Sequence, residues 1–322
     1  MTWKLLATTL LATSALAAAA PAQSAWPDKP IRIVVPFAPG SFTDVAARAV
    51  GNVLSQQIGQ PVVVENHGGA GSTIGTEIVA HAKPDGYTFL LTDNSFAVSA
   101  ALYSKLPYKP FQDLTQVSLI AEAPAVLVAR SDLPTKTLKA TLDDARAHPD
   151  KLTFGSGGTG SSAHLAMEML LLQAHVKARH IPYKGVAAAI TDIVAKRIDI
   201  GIGSVGSTAQ YIVNGRIMGL AVSGNKRHPM FPQVPTFAEA GYPDYQMMYR
   251  FGVMAPAQTP TAIITRMQKE IAVALKSPAV GKVFGTAGVE PKSSTPADYA
   301  KEVRDESNMW KDVIHRANVK ME

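Results

Sequence analysis

The chain contains no cysteine, which excludes disulfides, thiolate chemistry and a lipid-attachment site at a signal cleavage point. Charge is also scarce, since only 17% of residues are Asp, Glu, Lys or Arg, and the basic ones are scattered rather than gathered into a run. Nucleic-acid binding would want clustered Lys/Arg with interleaved aromatics, and no such stripe occurs. Low-complexity segments are missing beyond the first 25 residues, and 47% hydrophobic content supplies ample material for buried cores.

The long apolar run stands at the very start. Lys4 is followed by apolar or small residues from Leu5 to Ala20 and then by Ala20-Pro-Ala22-Gln-Ser24. A run of about 16 such residues is short for a membrane span and right for a secretory signal. Cleavage after Ala22 or Ser24 would give an exported protein starting near Ala25 or Trp26. Removing residues 1–25 leaves 297 of 322, enough for one large domain or two ordinary ones. The formal charge of +6 falls to +5 with Lys4, which suits an anionic small molecule.

Apolar spacing switches repeatedly between short β-rich runs and helical periodicity, the pattern of an α/β fold. Strands are expected at 31–35, 61–64, 87–91, 125–129, 152–154, 198–202, 219–222 and near 251–254. Helices are expected from near Thr43 to Ile58 with Gly59 ending it, and at 73–83, 138–147, 161–173 and 186–194, with further helices to the C-terminus. The helix at 161–173 carries Glu168 as its lone charge, so it reads as buried.

Two segments repeat one design, a short strand, a Gly/Ser loop and a helix: Ile31 to Asp44 and Leu152 to His164. A helix start presents unpaired N–H groups and the positive end of the macrodipole, so small residues there let an anion approach. Two such cradles suggest a ligand with two carboxylates. The first runs from Phe37 through Pro39, Gly40, Ser41 and Phe42 to Thr43 and Asp44. Thr43 or Asp44 could cap its helix. Asp44 would repel a carboxylate, so its part is to hold the loop while main-chain donors bind. The second cradle holds Ser156, Gly158, Thr159, Gly160, Ser161 and Ser162, with carboxylate binding assigned to the hydroxyls and N–H groups of Thr159, Ser161 and Ser162. The alternative for the first is an ordinary capped βα turn.

Gly155, Gly157 and Gly160 satisfy the dinucleotide spacing GxGxxG. No acid follows in His180-Ile-Pro-Tyr-Lys184 to take a ribose hydroxyl, and Ser161-Ser162 breaks the Walker pattern, so no cofactor is expected. Ser161, Ser162 and His164 invite a hydrolase reading, but neither a nucleophile elbow nor an orienting acid accompanies them. His164 and Glu168 alone make no metal site. Asn94 and Ser95, Tyr183 and Lys184, and Ser204 with Ser207 and Thr208 lie near strand ends, where α/β ligands bind and where turn chemistry is also common.

The chain from Trp26 onward resembles the Bug-type solute receptors of tripartite tricarboxylate transporters. The resemblance rests on Trp26-Pro-Asp-Lys-Pro30-Ile31, Val34-Val-Pro-Phe-Ala-Pro-Gly40 with Thr43-Asp44, and Gln60-Pro-Val-Val-Val-Glu-Asn66. It continues in Pro84-Asp-Gly-Tyr-Thr88, Leu106-Pro-Tyr108, Gly155-Ser156, Gly158 to Ser162, His164-Leu-Ala166, Pro182-Tyr-Lys-Gly185, Pro235-Thr236, Ala238-Glu-Ala-Gly241 and Ala255-Pro256. It implies a two-domain α/β periplasmic binding protein, closing like a flytrap over a ligand held in the cleft between its domains. The domains would be 26–126 plus 250–322, and 127–249. It also implies a non-catalytic, periplasmic, monomeric receptor for a small di- or tricarboxylate, with transporter membrane subunits as partner and no nucleic acid, cofactor or metal. A sensor presenting its closed form to a signalling receptor would share these features.

Two departures stand out. Where the family usually reads Pro-Gly-Gly and a third small residue before Thr-Asp, this chain has Ser41 and Phe42. Either Phe42 stacks on an aromatic ligand, terephthalate being the sharper expectation, or it packs outside the cleft. Arg250 stands where an aromatic is common, and either pairs with a ligand carboxylate or lies on the hinge surface.

Overall fold

The computed structural model describes residues 26–319. The expected signal at 1–25 lies outside them. Among the described residues, none of the helices is long and apolar enough to cross a membrane.

In chain order the elements are β1 (Ile31–Val35), α1 (Phe42–Ile58), β2 (Val62–Asn66), α2 (Thr73–Ala80), β3 (Thr88–Thr92), α3 (Ser95–Leu102), α4 (Pro110–Asp113) and β4 (Leu114–Arg130). Then come α5 (Leu138–Ala147), β5 (Thr153–Ser156), α6 (Ser162–Ala174), β6 (Arg179–Pro182), α7 (Val186–Val194), β7 (Ile200–Ser204), α8 (Val205–Val213) and β8 (Ile217–Val222). The chain closes with β9 (Met248–Pro256), α9 (Thr261–Ala274), α10 (Pro278–Ala287), β10 (Glu290–Pro291) and α11 (Pro296–Ala317).

The strand path is β2-β1-β3-β9-β4-β7-β5-β6, with β8 and β10 also pairing with β4. β1, β2 and β3 are mutually parallel, as are β5, β6 and β7. These two parallel groups are joined by the antiparallel strands β4 and β9. β4 spans both: Leu114 to Pro124 pairs with β9, and Ala125 to Ala129 pairs with β7. The changeover falls at Pro124, which has no N–H to give to a ladder. The next N–H, of Ala125, goes to the Ser223 hydroxyl at 2.8 Å, and Ser223 N–H returns to the Ala125 carbonyl at 2.8 Å.

Local chemistry fixes the helix ends. Ser41 caps α1 by accepting from Asp44 N–H, and Gly59 ends it in the left-handed conformation at φ 69°. Ser161 caps α6 in the same way through His164 N–H. As its composition implies, α6 is buried along most of its length. α9 packs on α1, and α11 packs on α3, β4 and α6. One apolar cluster runs through β1, β3, β4, β9 and α6, and a smaller one lies around α7, α8 and β8 with Phe231 and Val234.

Several elements depart from the sequence reading, including α8, which forms where no helix is expected. β4 is a 17-residue strand where the apolar pattern predicts only its last third. α3 is a helix where no element is expected, and β2 extends to Asn66.

Candidate functional site

Four strands, β1, β3, β5 and β7, run at their carboxyl ends into the starts of α1, α3, α6 and α8. Residues from all four helix starts line one cleft: Ser41, Phe42 and Thr43; Ser95; Ser161, Ser162 and Ala163; Ser204 and Ser207. Phe37, Asp93, Gly157, Val186, Tyr249 and Phe251 complete the wall. The free space within the cleft is about 20 Å³. That is room for about one water. A ligand of several carbons therefore enters only if the walls separate.

Helix geometry leaves the N–H groups of Phe42 and Thr43 without partners inside α1. The loop that aims them is held by Asp44. Its Oδ2 accepts from Gly40 N–H at 3.0 Å, and its Oδ1 accepts from Arg48 Nε at 2.9 Å and from Asn66 Nδ2 at 3.0 Å. Burial alone would raise the Asp44 pKa, but the bonds from Gly40, Asn66 and Arg48 outweigh it and hold the group below the usual carboxylate range. Gly40 turns the loop at φ 85°.

The second corner is braced by neutral rings, with the half-buried Glu168 carboxylate 3.7 Å from His164 Nε2. Gly160 N–H donates to His164 Nδ1 at 3.2 Å, and the His164 ring stacks on His180 with centroids 4.1 Å apart. His180 in turn stacks on Phe154 and hydrogen-bonds Ser156 Oγ at 2.6 Å. Burial pushes His164 down to about 3, helped by the neighbouring His180, and pushes His180 down to about 4, so both rings are neutral at pH 7. Ser161 Oγ accepts from the His164 main chain at 3.3 Å, so this hydroxyl caps a helix and does not form a nucleophile pair with the imidazole. Among the described residues, no group of three or more His, Asp or Glu side chains is placed to hold a metal.

The two sides of the cleft touch through Ser95 and Ser162. Ser162 N–H donates to Ser95 Oγ at 3.0 Å, Ser95 donates to Ser162 Oγ at 3.2 Å, and Ser162 donates to Asp93 Oδ2 at 3.2 Å. Thus the second corner is partly plugged, by a hydroxyl from the opposite wall. Asp93 Oδ1 also accepts Ser95 N–H at 2.8 Å. Burial pushes the Asp93 carboxyl up, against the lowering effect of its Ser95 and Ser162 bonds. Tyr249 is 3% exposed, and its hydroxyl has no hydrogen-bond partner among the described residues. Burial and the nearby Asp93 charge push the Tyr249 pKa up, with a smaller opposing influence from Ser162.

Of the residues singled out from sequence, Phe37, Ser41, Phe42, Thr43, Ser95, Ser161, Ser162 and Ser204 are brought together at the cleft. Pro39, Gly40, Asp44, Ser156, Gly158, Thr159, Gly160 and His164 form the loops and buttresses behind it rather than its lining. Tyr183 is turned away, donating to Asp192 at 2.8 Å. Arg250 is placed outside the cleft. Its Nε contacts Glu122 at 3.0 Å and Glu302 at 3.3 Å, and Glu306 lies near Nη1, so three carboxylates of β4 and α11 hold the guanidinium. Phe42 is packed, only 3% exposed, edge-on to Phe251 and Phe284 at 4.8 and 5.5 Å. A Cβ on Gly206 of α8 would stand 2.5 Å from its ring.

Sequence reasoning passes over Asp93, Tyr249 and Phe251. Asp93 has a local signal, since Asp-Asn-Ser after a strand is turn and capping chemistry. Tyr249 and Phe251 reach the cleft only through the long-range pairing of β9.

The family described as "Tripartite tricarboxylate transporter family receptor" matches residues 46–319. The solved periplasmic binding protein BugD is 32% identical, with a TM-score of 0.88 over 92% of this chain and 100% of that one. MatC from Rhodopseudomonas palustris, solved with malate, is 30% identical, with a TM-score of 0.86 over 90% of this chain and 100% of its own. A second R. palustris protein, solved with adipate, is 32% identical, with a TM-score of 0.87 over 92% of this chain and 99% of its own. These are solute-binding receptors rather than enzymes. The chain belongs to the receptor family of the tripartite tricarboxylate transporters.

Proposed function

We propose that this protein is exported to the periplasm, captures a small di- or tricarboxylate in the cleft, and hands it to the membrane subunits of a tripartite transporter. The observation that carries the reading is the convergence of four helix starts on one cleft with no Lys or Arg in its lining. Positive macrodipole ends and open N–H groups favour an anion without any basic side chain. Malate and adipate in the two R. palustris relatives support the same ligand class.

Magnitudes set what closure must do. A micromolar receptor needs about 8 kcal/mol. One helix end supplies roughly 0.3 to 1 kcal/mol, or about 2 when partly buried, so dipoles alone fall short. Direct hydrogen bonds and removal of the ligand from water supply the rest. Two bodies, 26–126 with 250–322 and 127–249, hinged on β4 and β9, would separate to admit the ligand and close to bury it. Opening breaks the Ser95–Ser162 bonds and frees Ser162 N–H for a carboxylate.

An aromatic dicarboxylate such as terephthalate is a finer candidate. It draws support from Phe42 and Phe251 in the wall, but both rings are already committed to each other, so the assignment stays with small di- and tricarboxylates as a class. Thermal-shift screening of the purified protein against a carboxylate panel that includes terephthalate, followed by calorimetry, tests the reading. A ligand of the native state raises its melting temperature. Failure of every carboxylate to bind would refute it. Membrane pull-down with ligand present separates a transporter partner from a signalling receptor.

A further inference from the structure

Among the described residues, Asp93 is the one charged side chain in the cleft lining, and it carries the sign that an anion receptor should avoid. It accepts from Ser95 N–H on Oδ1 and from the Ser162 hydroxyl on Oδ2, and the Ser95 hydroxyl also stabilises its charge. A carboxylate offers about four acceptor sites, so capacity is left over. Beside it in the same wall stands the buried Tyr249 hydroxyl, which makes no hydrogen bond of good geometry among the described residues, with the Ser162 hydroxyl its nearest influence. A half-buried carboxylate without a salt bridge and a buried hydroxyl without a well-placed partner both gain when a donor or acceptor pairs with them. The ligand is what can reach them.

We infer that Asp93 and Tyr249 form a third, selective corner, which takes a hydroxyl or ammonium group carried between the two carboxylates of the ligand. The preferred ligands are therefore hydroxy- or amino-dicarboxylates rather than plain diacids. This rests on the carboxylate reading above and narrows it. The helix starts hold the carboxylates, and Asp93 receives the donor. The same charge repels any carboxylate oxygen that lands there, so it selects by penalty as well as by attraction. A site built to pair with a ligand donor discriminates strongly against the analogue that lacks it, because its own polar groups are then left unpaired.

The test is calorimetry with matched sets on one carbon skeleton: succinate, malate and aspartate, then glutarate, 2-hydroxyglutarate and glutamate. In the better-bound set the hydroxyl or ammonium member should bind roughly ten- to hundredfold tighter than the plain diacid, as expected for a hydrogen bond to a charged group. Asp93→Asn should bring that ratio towards one, more completely for the ammonium than for the hydroxyl ligand. Tyr249→Phe should lower the ratio too, and it gives the same readout should Asp93→Asn fail to fold. Plain diacids binding as tightly as their substituted partners would overturn the inference while leaving carboxylate capture intact. A ratio unchanged in both variants would overturn it as well. Failure of all six acids to bind would overturn the capture reading and this inference together.

Discussion

The corners at α1 and α6 do one job with opposite means. Each must hold a glycine loop so that the first amides of a helix face the cleft. At α1 the brace is a charge: Asp44 ties Gly40, Arg48 and Asn66 together. At α6 the brace is neutral, with His164 and His180 stacked face to face, Gly160 N–H on one ring and Ser156 on the other. The difference shows that loop geometry, not the charge of the support, is what the two corners share. It also gives them different windows of acid sensitivity and different responses to substitution.

The largest effect should come from the packing that anchors the first corner. Phe42→Ala removes a ring wedged among Phe251, Phe284 and Gly206, and should cost about 3 to 5 kcal/mol. At roughly 2 to 4 °C per kcal/mol for a chain of this size, thermal melts would show a drop of the order of ten degrees. A melting temperature within about a degree of wild type would mean the ring packs far more loosely than its 3% exposure indicates.

Next is the approach of the Gly71 turn to the second corner. Gly71 sits at φ 62°, and a Cβ there would lie 2.8 Å from the Thr159 carbonyl oxygen across the cleft. Gly71→Ala should impose about 1 to 3 kcal/mol of strain on the closed form, weakening the best ligand roughly tenfold or more. Unchanged affinity by calorimetry would show that these loops need not meet for capture.

Asp44→Asn sharpens the comparison from the charged side. It keeps shape but removes the charge from three hydrogen bonds, at an expected cost of about 1 to 2 kcal/mol in denaturant melts near pH 7. The folded pKa of Asp44 is depressed, so this contribution is complete above the unfolded carboxylate value and is lost as pH falls through and below it. An Asp44→Asn variant as stable as wild type at neutral pH would remove Asp44 as the brace.

Mild acid should act on the other corner. His164 and His180 are depressed to about 3 and about 4, so the unfolded chain, titrating near 6.5, binds more protons between those values. Stability from the neutral pair is therefore complete above pH 6.5 and erodes as pH falls towards 4. A melting temperature lower by a few degrees at pH 5 than at pH 7 is expected, with a flatter profile for His164→Phe/His180→Phe. Equal slopes in the two proteins would show that the rings do not set the acid response.

Much of this was legible because it is local. Gly59 at the end of α1 and the α5 limits follow from the sequence, since caps and periodicity act within a turn or two, whereas the α1 cap is Ser41 rather than the expected Thr43 or Asp44. The length of β4 was not, because Glu122 and Pro124 interrupt its apolar pattern and only pairing with β9 keeps it a strand. The same holds for Tyr249 and Phe251, which come to the cleft from the far end of the chain, well beyond α6. Arg250 misled for a simple reason: sequence shows an arginine near a hinge but not the Glu122, Glu302 and Glu306 that claim it. Asp93 gives no sequence signal for anion binding, because a carboxylate repels the ligand such a cleft holds.

The most direct measurement is calorimetric titration of one dicarboxylate that binds in the thermal screen against its uncharged diamide. Helix starts gripping two carboxylates should give one-to-one micromolar binding of the diacid and no measurable heat with the diamide. Equal binding of the two, or no binding of any diacid in the panel, would contradict an anion cleft built from main-chain amides.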